Sequence, residues 1–265
     1  MQEKIERDYL LNEQYKNASN LQARIQLHQR FGTNPKGLHE WVFDYLLKLP
    51  EQPIKRVLEL GTGSGMLWRC NIQRIPQDWQ ITLSDFSPGM LAEARNHLGH
   101  LPNLTFEQID IQNIPYPPAN FDLIIANHML YHVPDRDKAI AEVHRLLKPE
   151  GHFFAATNSE HNLQEMDDLI RQVVPEYQTF GMHFNLENGA EQLAHHFTHI
   201  NVYHLDNELV VTETEPLIAY ILSLPIRAAM TEERTEHLRT IIEQRIASEG
   251  AVRIVTRAGM FEAYN

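Results

Sequence analysis

The chain has 265 residues, of which 43% are hydrophobic, enough for one large α/β domain or for a core domain with a lid. Its formal net charge is −12, and Lys and Arg form no cluster. Because sequence-independent binding of nucleic acid requires clustered cations that displace counterions, a nucleic-acid substrate is disfavoured. Cys70 is the single cysteine, so no internal disulfide can form.

The N-terminus shows no pattern of a targeting segment. Residues 1–15 are charged and polar, and no apolar run approaches the ~20 residues that a membrane-spanning helix requires. We therefore expect a cytoplasmic protein without membrane insertion. A homodimer is compatible with the sequence.

Residues 1–50 are predicted to be helical. Leu21 and Ile25 recur at helical spacing, and Trp41 and Tyr45 do the same in a second segment. Because these helices precede the first predicted strand, we interpret residues 1–50 as an N-terminal helical cap on a domain that spans 51–265.

Strands and helices alternate between residues 54 and 160, which predicts parallel strands joined by right-handed crossovers. Phe121 to Ala126 is nearly all apolar, as expected of a central strand covered on both faces. The predicted strands are 54–60, 79–84, 103–108, 121–126 and 151–157, and the predicted helices are 64–74, 88–98 and 135–147.

The pattern beyond residue 160 is looser. We interpret Gly259 as a turn after the last strand, and the apolar segment 217–222 as part of an insertion, about 213–250, that serves as a lid or joins the core. The predicted helices are 161–174, a short one near Gly189, 215–224 and 231–248; the predicted strands are 199–205, 208–212 and 252–256.

The most informative segment is the apolar strand Val57 to Leu60, followed by glycines at positions 61, 63 and 65. These glycines let the backbone approach a ligand, and Glu59 lies two residues before them. Dinucleotide-binding folds hold a pyrophosphate with the spacing G-x-G-x-x-G, whereas the spacing here is G-x-G-x-G. A carboxylate repels a pyrophosphate and attracts an ammonium. The loop therefore favours S-adenosylmethionine, which has an ammonium and a sulfonium but no phosphate.

Two further acids follow the next two predicted strands. Asp85 lies 20 residues after Gly65 and is placed to accept hydrogen bonds from both ribose hydroxyls. The alternative role of Asp85, an N-cap for the helix at Pro88, suits Ser87 better. Asp110 follows the third strand, where a carboxylate can accept a bond from an adenine amino group. Ligands bind at the carboxyl ends of parallel strands, where all these acids are expected.

Six segments together resemble the class I S-adenosylmethionine-dependent methyltransferases, in particular the small-molecule branch that includes the ubiquinone/menaquinone-biosynthesis C-methyltransferases. The resemblance covers about 54–157 and implies an α/β, Rossmann-like seven-stranded sheet of order 3-2-1-4-5-7-6, with strand 7 antiparallel. Our strand 252–256 fits strand 7. The six segments are 57–65, 83–91, 110–115, 121–126, 132–135 and 146–151.

The resemblance also implies which residues hold the cofactor. By analogy, Glu59 and the glycines hold the methionine end, Asp85 the ribose, and Asp110 with Ile111 the adenine. Residues 126–128 would form the floor beside the methyl group. The expected cofactor-binding residues are Glu59, Gly61, Thr62, Gly63, Gly65, Asp85, Phe86, Met90, Asp110, Ile111 and Asn127.

A sulfonium already activates its methyl group, so the enzyme must mainly place a nucleophile in line and exclude water. A general base is needed only if the nucleophile carries a proton. His128 and His132 are the candidate bases and would share a face if their segment is helical, while Tyr131 is a candidate substrate contact. Because the pair lacks the Glu of H-E-x-x-H and a third ligand, we expect no metal.

A small, partly apolar methyl acceptor is the expected partner. We predict in-line methyl transfer from S-adenosylmethionine to an O, N or C nucleophile of that molecule. The alternatives are a nicotinamide-dependent oxidoreductase and a non-catalytic protein that only binds S-adenosylmethionine. The candidate residues of the acceptor pocket are Tyr15, Arg24, His28, His183 and Phe184.

Overall fold

The computed structural model describes residues 19–49, 54–178 and 183–265. Tyr15 and the first part of the expected cap lie outside these residues. The described part of the cap consists of helices α1 (Ser19–Phe31) and α2 (Leu38–Leu46).

The strands and helices then alternate as expected. Pro88 occupies the first turn of its helix, and the Ser87 hydroxyl accepts a hydrogen bond from the Met90 N–H, so Ser87 is the N-cap. The elements are β1 (Arg56–Leu60), α3 (Met66–Cys70), β2 (Gln80–Asp85), α4 (Pro88–Leu98), β3 (Leu104–Gln108), β4 (Phe121–Ile125), α5 (Arg136–Leu146), β5 (Leu147–Asn158), α6 (Gln164–Val173), α7 (Gly189–Leu193), β6 (His199–Val211), α8 (Thr214–Leu222), α9 (Glu232–Glu249) and β7 (Val252–Tyr264).

The seven strands form one sheet of order β3-β2-β1-β4-β5-β7-β6, which confirms the predicted topology. The first five strands pair in parallel, and β7 pairs antiparallel with β5 and β6. The carboxyl ends of β1, β2, β3 and β4 therefore lie at one edge of the sheet, where the predicted cofactor residues follow them.

The helix predicted over 64–74 is wrong in its second half. Helix α3 ends at Cys70, because Asn71 leaves the helical conformation at φ −118° and a short 3₁₀ turn spans Ile72–Arg74. The Asn71 side chain instead donates hydrogen bonds to the Leu67 and His39 carbonyls, which joins α3 to α2.

The turn predicted at Gly259 is also wrong, because β7 continues through it to Tyr264. Likewise, the two strands predicted over 199–205 and 208–212 are one continuous strand, β6. Strands β6 and β7 pair along their whole length, from His199 with Tyr264 to Val211 with Val252. Strand β5, in contrast, pairs with β7 only as far as Asn158. The rest of β6 and β7 is therefore a two-stranded ribbon that projects beyond the sheet.

Both faces of the sheet are covered. Leu123 and Ile125 of β4 pack with α2, α3 and Leu98, and Ile124 and Ala126 pack on the opposite side with α5. The projecting ribbon has its own core, here called the cap cluster, which joins α1, α6, α8 and α9 to it. Its buried members include Leu27, Phe31, Leu169, Leu209, Val211, Leu217, Ile221, Leu238, Ile242, Val252 and Ile254. None of the described helices combines the length and apolarity needed to cross a bilayer.

Candidate active site

The loop after β1 is held in place by backbone hydrogen bonds. The Thr62 N–H donates to the Ser84 carbonyl of β2 (2.8 Å), and the Gly65 N–H donates back to the Thr62 carbonyl (3.0 Å). Gly61, Gly63 and Gly65 all have positive φ, which other residues adopt only with strain. Contacts within the protein therefore hold the loop in this conformation.

Gly65 differs from the other two loop glycines. It does not line the cavity described below, and a Cβ there would lie 2.9 Å from Leu98 Cδ1 and 3.4 Å from Ala94 Cβ. Gly65 thus serves the close packing of α3 against α4, although the sequence grouped it with the cofactor residues. A Cβ at Gly63 would meet no atom within 4 Å, so the space beside Gly63 is open to a ligand.

This difference makes Gly63→Ala a specific probe of the loop. The added methyl group enters the cavity, so we expect S-adenosylhomocysteine affinity to fall at least tenfold, measured by calorimetry. Gly250→Ala is the matched control: Gly250 also has positive φ and open space around its Cβ, but it ends α9 and does not line the cavity. Both variants lose about 1 kcal/mol of stability; equal cofactor affinity in the two would contradict a ligand site at Gly63.

Glu59 lies at the base of the loop and is almost completely buried. Its Oε2 accepts hydrogen bonds from the Thr62 hydroxyl and from the Trp68 indole N–H (2.7 Å). Burial raises the pKa of Glu59 to about 7 against the opposing effect of these two hydrogen bonds, and the nearby Asp85 raises it further. Glu59 is therefore a buried acid, beside the cavity, that a cation would stabilise in its ionised form.

Asp85 ends β2 and supports the same loop. Its Oδ2 accepts a hydrogen bond from the Gly63 N–H (2.9 Å), and its Oδ1 accepts one from the Ser87 N–H (2.8 Å). Burial raises the pKa of Asp85, while the hydrogen bonds from Ser87 and Gly63 act in the opposite direction. Each carboxylate oxygen retains acceptor capacity toward the cavity that Asp85 lines.

The other predicted cofactor residues lie around the same space. Phe86 is partly exposed at the rim, whereas Met90 and Ile111 are buried beneath it. The Asp110 Oδ1 accepts a hydrogen bond from the Gln112 N–H (3.0 Å), which fixes the turn after β3. Asp85 pairs with Gln108 at the end of β3, and Asp110 and Ile111 follow two and three residues later at the same edge of the sheet.

The segment after β4 contains the candidate bases. His128 has φ +53° and its N–H donates to the Ala156 carbonyl (2.8 Å), so the segment is not helical there; only Leu130–His132 form a 3₁₀ turn. The condition under which His128 and His132 would share a helical face is therefore not met. Both nevertheless line the cavity together with Asn127 and Tyr131.

Two polar atoms of this segment are buried without a hydrogen-bond partner in the described structure: Asn127 Oδ1 and His128 Nε2. Burial lowers the pKa of His128 to about 4, with a further contribution from His39 and His28, and burial lowers that of His132 to about 4 beside Arg24. Both imidazoles are therefore neutral at pH 7. Orphaned polar atoms of this kind are costly, and a ligand in the cavity would supply the missing partners.

These buried histidines make the protein sensitive to acid. The unfolded chain binds a proton at each near pH 6.5 but the native state only near pH 4, so stability falls as pH drops through this interval. Each shift lowers the free energy of unfolding at acid pH by an amount on the order of 3 kcal/mol. The raised pKa values of Glu59 and Asp85 act in the opposite direction, because these acids bind protons more readily in the native state. Urea unfolding at pH 7 and pH 5 should show a smaller stability difference for His128→Asn than for wild type. A change of the same size in His199→Asn, at an exposed histidine, would contradict this assignment.

The cavity has a volume of about 740 Å³ and continues from the glycine loop to the cap. Of the predicted acceptor-pocket residues, Arg24 and His28 line this cavity. The predictions for Phe184 and His183 are wrong, because Phe184 is fully buried in the core and His183 is exposed outside the cavity. Phe184 instead packs edge-on against Phe261 (5.6 Å between ring centroids).

Several cavity residues were not identified from the sequence, because elements distant in the chain, including the ribbon, bring them together. Asn207 of β6 accepts hydrogen bonds from the Asn34 N–H (2.8 Å) and the Thr33 hydroxyl, which fastens the loop after α1 over the cavity. The unidentified lining residues include His39, Cys70, Asn158, Asn162, Leu205, Asn207, Tyr220, Thr256 and Ala258.

The described residues contain no group of three or more His, Cys, Asp or Glu side chains arranged to hold a metal ion. Three histidines lie in the segment 194–199, which directly follows the end of the short helix α7 at Leu193. There, His195 and His196 both contact Asp137 at the surface.

The sheet order and the acid-flanked glycine loop at its carboxyl edge define the class I methyltransferase fold. Residues 58–155 match the family model described as a methyltransferase domain. This part of the chain is therefore similar to methyltransferase domains, including those of the ubiquinone/menaquinone-biosynthesis C-methyltransferases, as the resemblance implied.

Curated relatives match half of the chain or less. A ubiquinone/menaquinone biosynthesis C-methyltransferase of Psychromonas ingrahamii is 36% identical over 100 residues, which are 37% of this chain and 40% of the relative. A trans-aconitate 2-methyltransferase of Methylobacterium nodulans is 36% identical over 135 residues, or 50% of this chain and 49% of the relative. The chain thus spans about half the length, or less, of the curated relatives it matches.

Solved structures share the fold across more of the chain. A phosphoethanolamine N-methyltransferase 2 of Haemonchus contortus, in complex with phosphomonomethylethanolamine and S-adenosylhomocysteine, aligns with a TM-score of 0.59 at 20% identity, over 98% of this chain and 60% of the other. The YcgJ protein of Bacillus subtilis aligns with a TM-score of 0.57 at 17% identity, over 85% and 97%. These likenesses show the fold.

Proposed function

We propose that this protein transfers the methyl group of S-adenosylmethionine to an O, N or C nucleophile of a small molecule. The observation that supports this most is the buried carboxylate of Glu59 behind the glycine loop, at the inner end of a cavity that reaches the cap. A carboxylate there favours a cofactor with an ammonium over one with a pyrophosphate.

The described residues fit S-adenosylmethionine in charge and in open space. Glu59, Gly61, Thr62 and Gly63 would receive the methionine end, since Glu59 is buried next to the cavity and Gly63 leaves room beside the loop. Asp85 would accept both ribose hydroxyls. Asp110 and Ile111 would hold the adenine, with Phe86 and Met90 lining the same cavity, and the buried amide oxygen of Asn127 would gain a partner from the cofactor.

When bound, the cofactor supplies a sulfonium that activates the methyl group for displacement. The protein then has to hold the acceptor in line and keep water away, which can supply up to roughly 7–11 kcal/mol in well-oriented systems. His128 would accept the proton that the acceptor loses, because its imidazole is neutral at pH 7. His132 and Tyr131 line the same space and would contact the acceptor.

The cap would exclude water. Helix α1 and the insertion of about 213–250 share the cap cluster, and residues of both line the cavity together with the loops at the sheet edge. We therefore propose that the expected cap and insertion close over the bound acceptor, which favours a small molecule over a polymer. Helix α8 belongs to the cap cluster and also lines the cavity: Leu217 and Ile221 are buried in the cluster, and Tyr220 lies along the cavity.

The test is incubation with methyl-labelled S-adenosylmethionine and a panel of phenols, amines, carboxylic acids and activated methylene compounds. We expect label in a small-molecule product and equal formation of S-adenosylhomocysteine. Hydride transfer from NADH would instead support the oxidoreductase alternative. Tight cofactor binding with no labelled product from the panel or from a small-molecule cell extract would support a non-catalytic binding protein.

A further inference from the structure

The cap side of the cavity contains a cation whose chemistry defines the acceptor more narrowly. We propose that the methyl acceptor carries a carboxylate group and that the Arg24 guanidinium binds it. This inference rests on the proposed function, since it concerns the same cavity, and it adds the substrate class and a specificity-determining residue.

Arg24 is held in a fixed orientation by the end of α8. Its Nε donates to the Ser223 hydroxyl oxygen (3.0 Å), and its Nη2 donates to the Ser223 carbonyl (2.7 Å). The Ser223 hydroxyl in turn donates to the Tyr220 carbonyl (2.6 Å). These two bonds use the Nε/Nη2 edge of the guanidinium, so Nη1 and the second N–H of Nη2 remain to bind a carboxylate end-on through two parallel hydrogen bonds.

Within the described structure, Arg24 has no carboxylate partner. The other lysine or arginine along the cavity, Lys36, pairs with Asp44, and Arg30 on the same helix pairs with Glu213. Arg24 is partly buried, where a cation without a counter-charge is costly. A carboxylate ligand would remove that cost and would be held by a charge-assisted, bidentate contact.

The position of Arg24 is on the acceptor side of the cavity. Its charge contributes to lowering the pKa of His132 and acts in the lowering direction on the Tyr220 hydroxyl, and all three residues line the cavity. The carboxylates of Glu59, Asp85 and Asp110 lie at the carboxyl ends of β1 to β3, on the cofactor side. Three carboxylates thus lie on the cofactor side and the Arg24 cation on the acceptor side, while Glu40 of α2 also lines the cavity and acts on His39.

The histidines around the acceptor end favour the same ligand. His28, His39, His128 and His132 line the cavity, and burial lowers the pKa of each. A carboxylate nearby would raise these pKa values, because it stabilises an imidazolium. A bound anion would thus make His128 a stronger base than it is in the free protein. The carboxylate of the substrate would thus raise the basicity of the imidazole that accepts the substrate's proton.

The competing role of Arg24 is structural: it joins α1 to the C-terminal end of α8, where a cation is also favourable. The two roles differ in a measurable way. A purely structural Arg24 would affect stability but not the distinction between an acid and its neutral amide. An anion-binding Arg24 would determine that distinction.

The experiment measures binding of matched acid and amide pairs to protein saturated with S-adenosylhomocysteine. The pairs are benzoate with benzamide, acetate with acetamide, and succinate with succinamide, titrated by calorimetry. We expect at least one acid to bind about 10–100-fold more tightly than its amide. Arg24→Gln should abolish this preference, Arg24→Lys should retain part of it, and Arg30→Gln should leave it unchanged, since Arg30 does not line the cavity.

Two results would overturn the inference: no acid preferred over its amide by the wild-type protein, or the full preference retained in Arg24→Gln. If Arg24→Gln does not fold, the acid-over-amide preference of Arg24→Lys is compared with that of the wild-type protein, and an undiminished preference in Arg24→Lys contradicts the inference. Saturation with S-adenosylhomocysteine is measured first and separately. If S-adenosylhomocysteine does not bind, the proposed function is refuted. If it binds but no acid is preferred over its amide, only the inference of a carboxylate-bearing acceptor is refuted.

Discussion

Asp85→Ala should weaken S-adenosylhomocysteine binding by about 10²–10⁴-fold while the protein stays folded. Asp85 would accept hydrogen bonds from both ribose hydroxyls, and a hydrogen bond to a charged group contributes about 1.5–3 kcal/mol. The substitution also removes the acceptor of the Gly63 and Ser87 N–H groups, which loosens the loop that contacts the methionine end. Calorimetric titration measures the affinity, and circular dichroism confirms the fold.

Asp122→Ala is the matched control for Asp85→Ala. Asp122 also accepts hydrogen bonds from two backbone N–H groups, those of Lys55 and Arg56, but it lies at the start of β4, away from the cavity. It should lower stability without changing cofactor affinity. Affinity unchanged in Asp85→Ala, or lowered equally in both variants, would refute the ribose role of Asp85.

His128→Asn should lower kcat by about 10²–10⁴-fold for an acceptor that carries a proton, with little effect on cofactor affinity. Asparagine suits this position because it tolerates the positive φ of His128 better than alanine does. The loss arises because an amide cannot accept a proton as imidazole does. Single-turnover kinetics with the acceptor found in the labelled-methyl screen gives the rate of the chemical step.

The acidity of the acceptor distinguishes a base from a structural residue. A series of acceptors with falling pKa should progressively recover activity in His128→Asn, because an ionised nucleophile needs no base. His132→Asn is the parallel variant and should show a smaller loss of kcat. An equal loss for ionised and protonated acceptors would show that His128 positions the loop and does not accept a proton.

The part of the fold that sequence could predict is the part built from local signals. The strand before Gly61, the helix capped by Ser87, and the apolar strand Phe121–Ile125 follow from hydrophobic patterns and turn residues, and each was confirmed. The resemblance supplied the sheet order. The three acids at the strand ends could be placed because parallel strands end at the same edge.

The part that sequence could not predict depends on distant contacts. Gly259 resembles a turn residue in sequence, but thirteen consecutive pairs between β6 and β7 keep it extended. Phe184 has the character of a pocket residue, yet its ring is buried by Phe261, far away in sequence. The histidine spacing at 128 and 132 suggested a helix, but the hydrogen bond from the His128 N–H to β5 determines the backbone there.

The cap side of the active site also depends on contacts that the sequence could not predict. Helicity of α1 could be predicted, but the orientation of Arg24 depends on the last turn of α8, almost 200 residues later. Asn207 likewise lines the cavity only because it fastens the Thr33–Asn34 loop to the ribbon. The acceptor end of the site is therefore a property of the tertiary structure, whereas the cofactor end follows from a nearly continuous segment of sequence.

The most direct measurement is a calorimetric comparison of S-adenosylhomocysteine with NADH on the wild-type protein. Glu59, the glycine loop and Asp85 predict saturable, one-to-one binding of S-adenosylhomocysteine and no measurable binding of NADH, whose pyrophosphate would face a carboxylate. Tight binding of NADH together with no binding of S-adenosylhomocysteine would contradict the account at its centre.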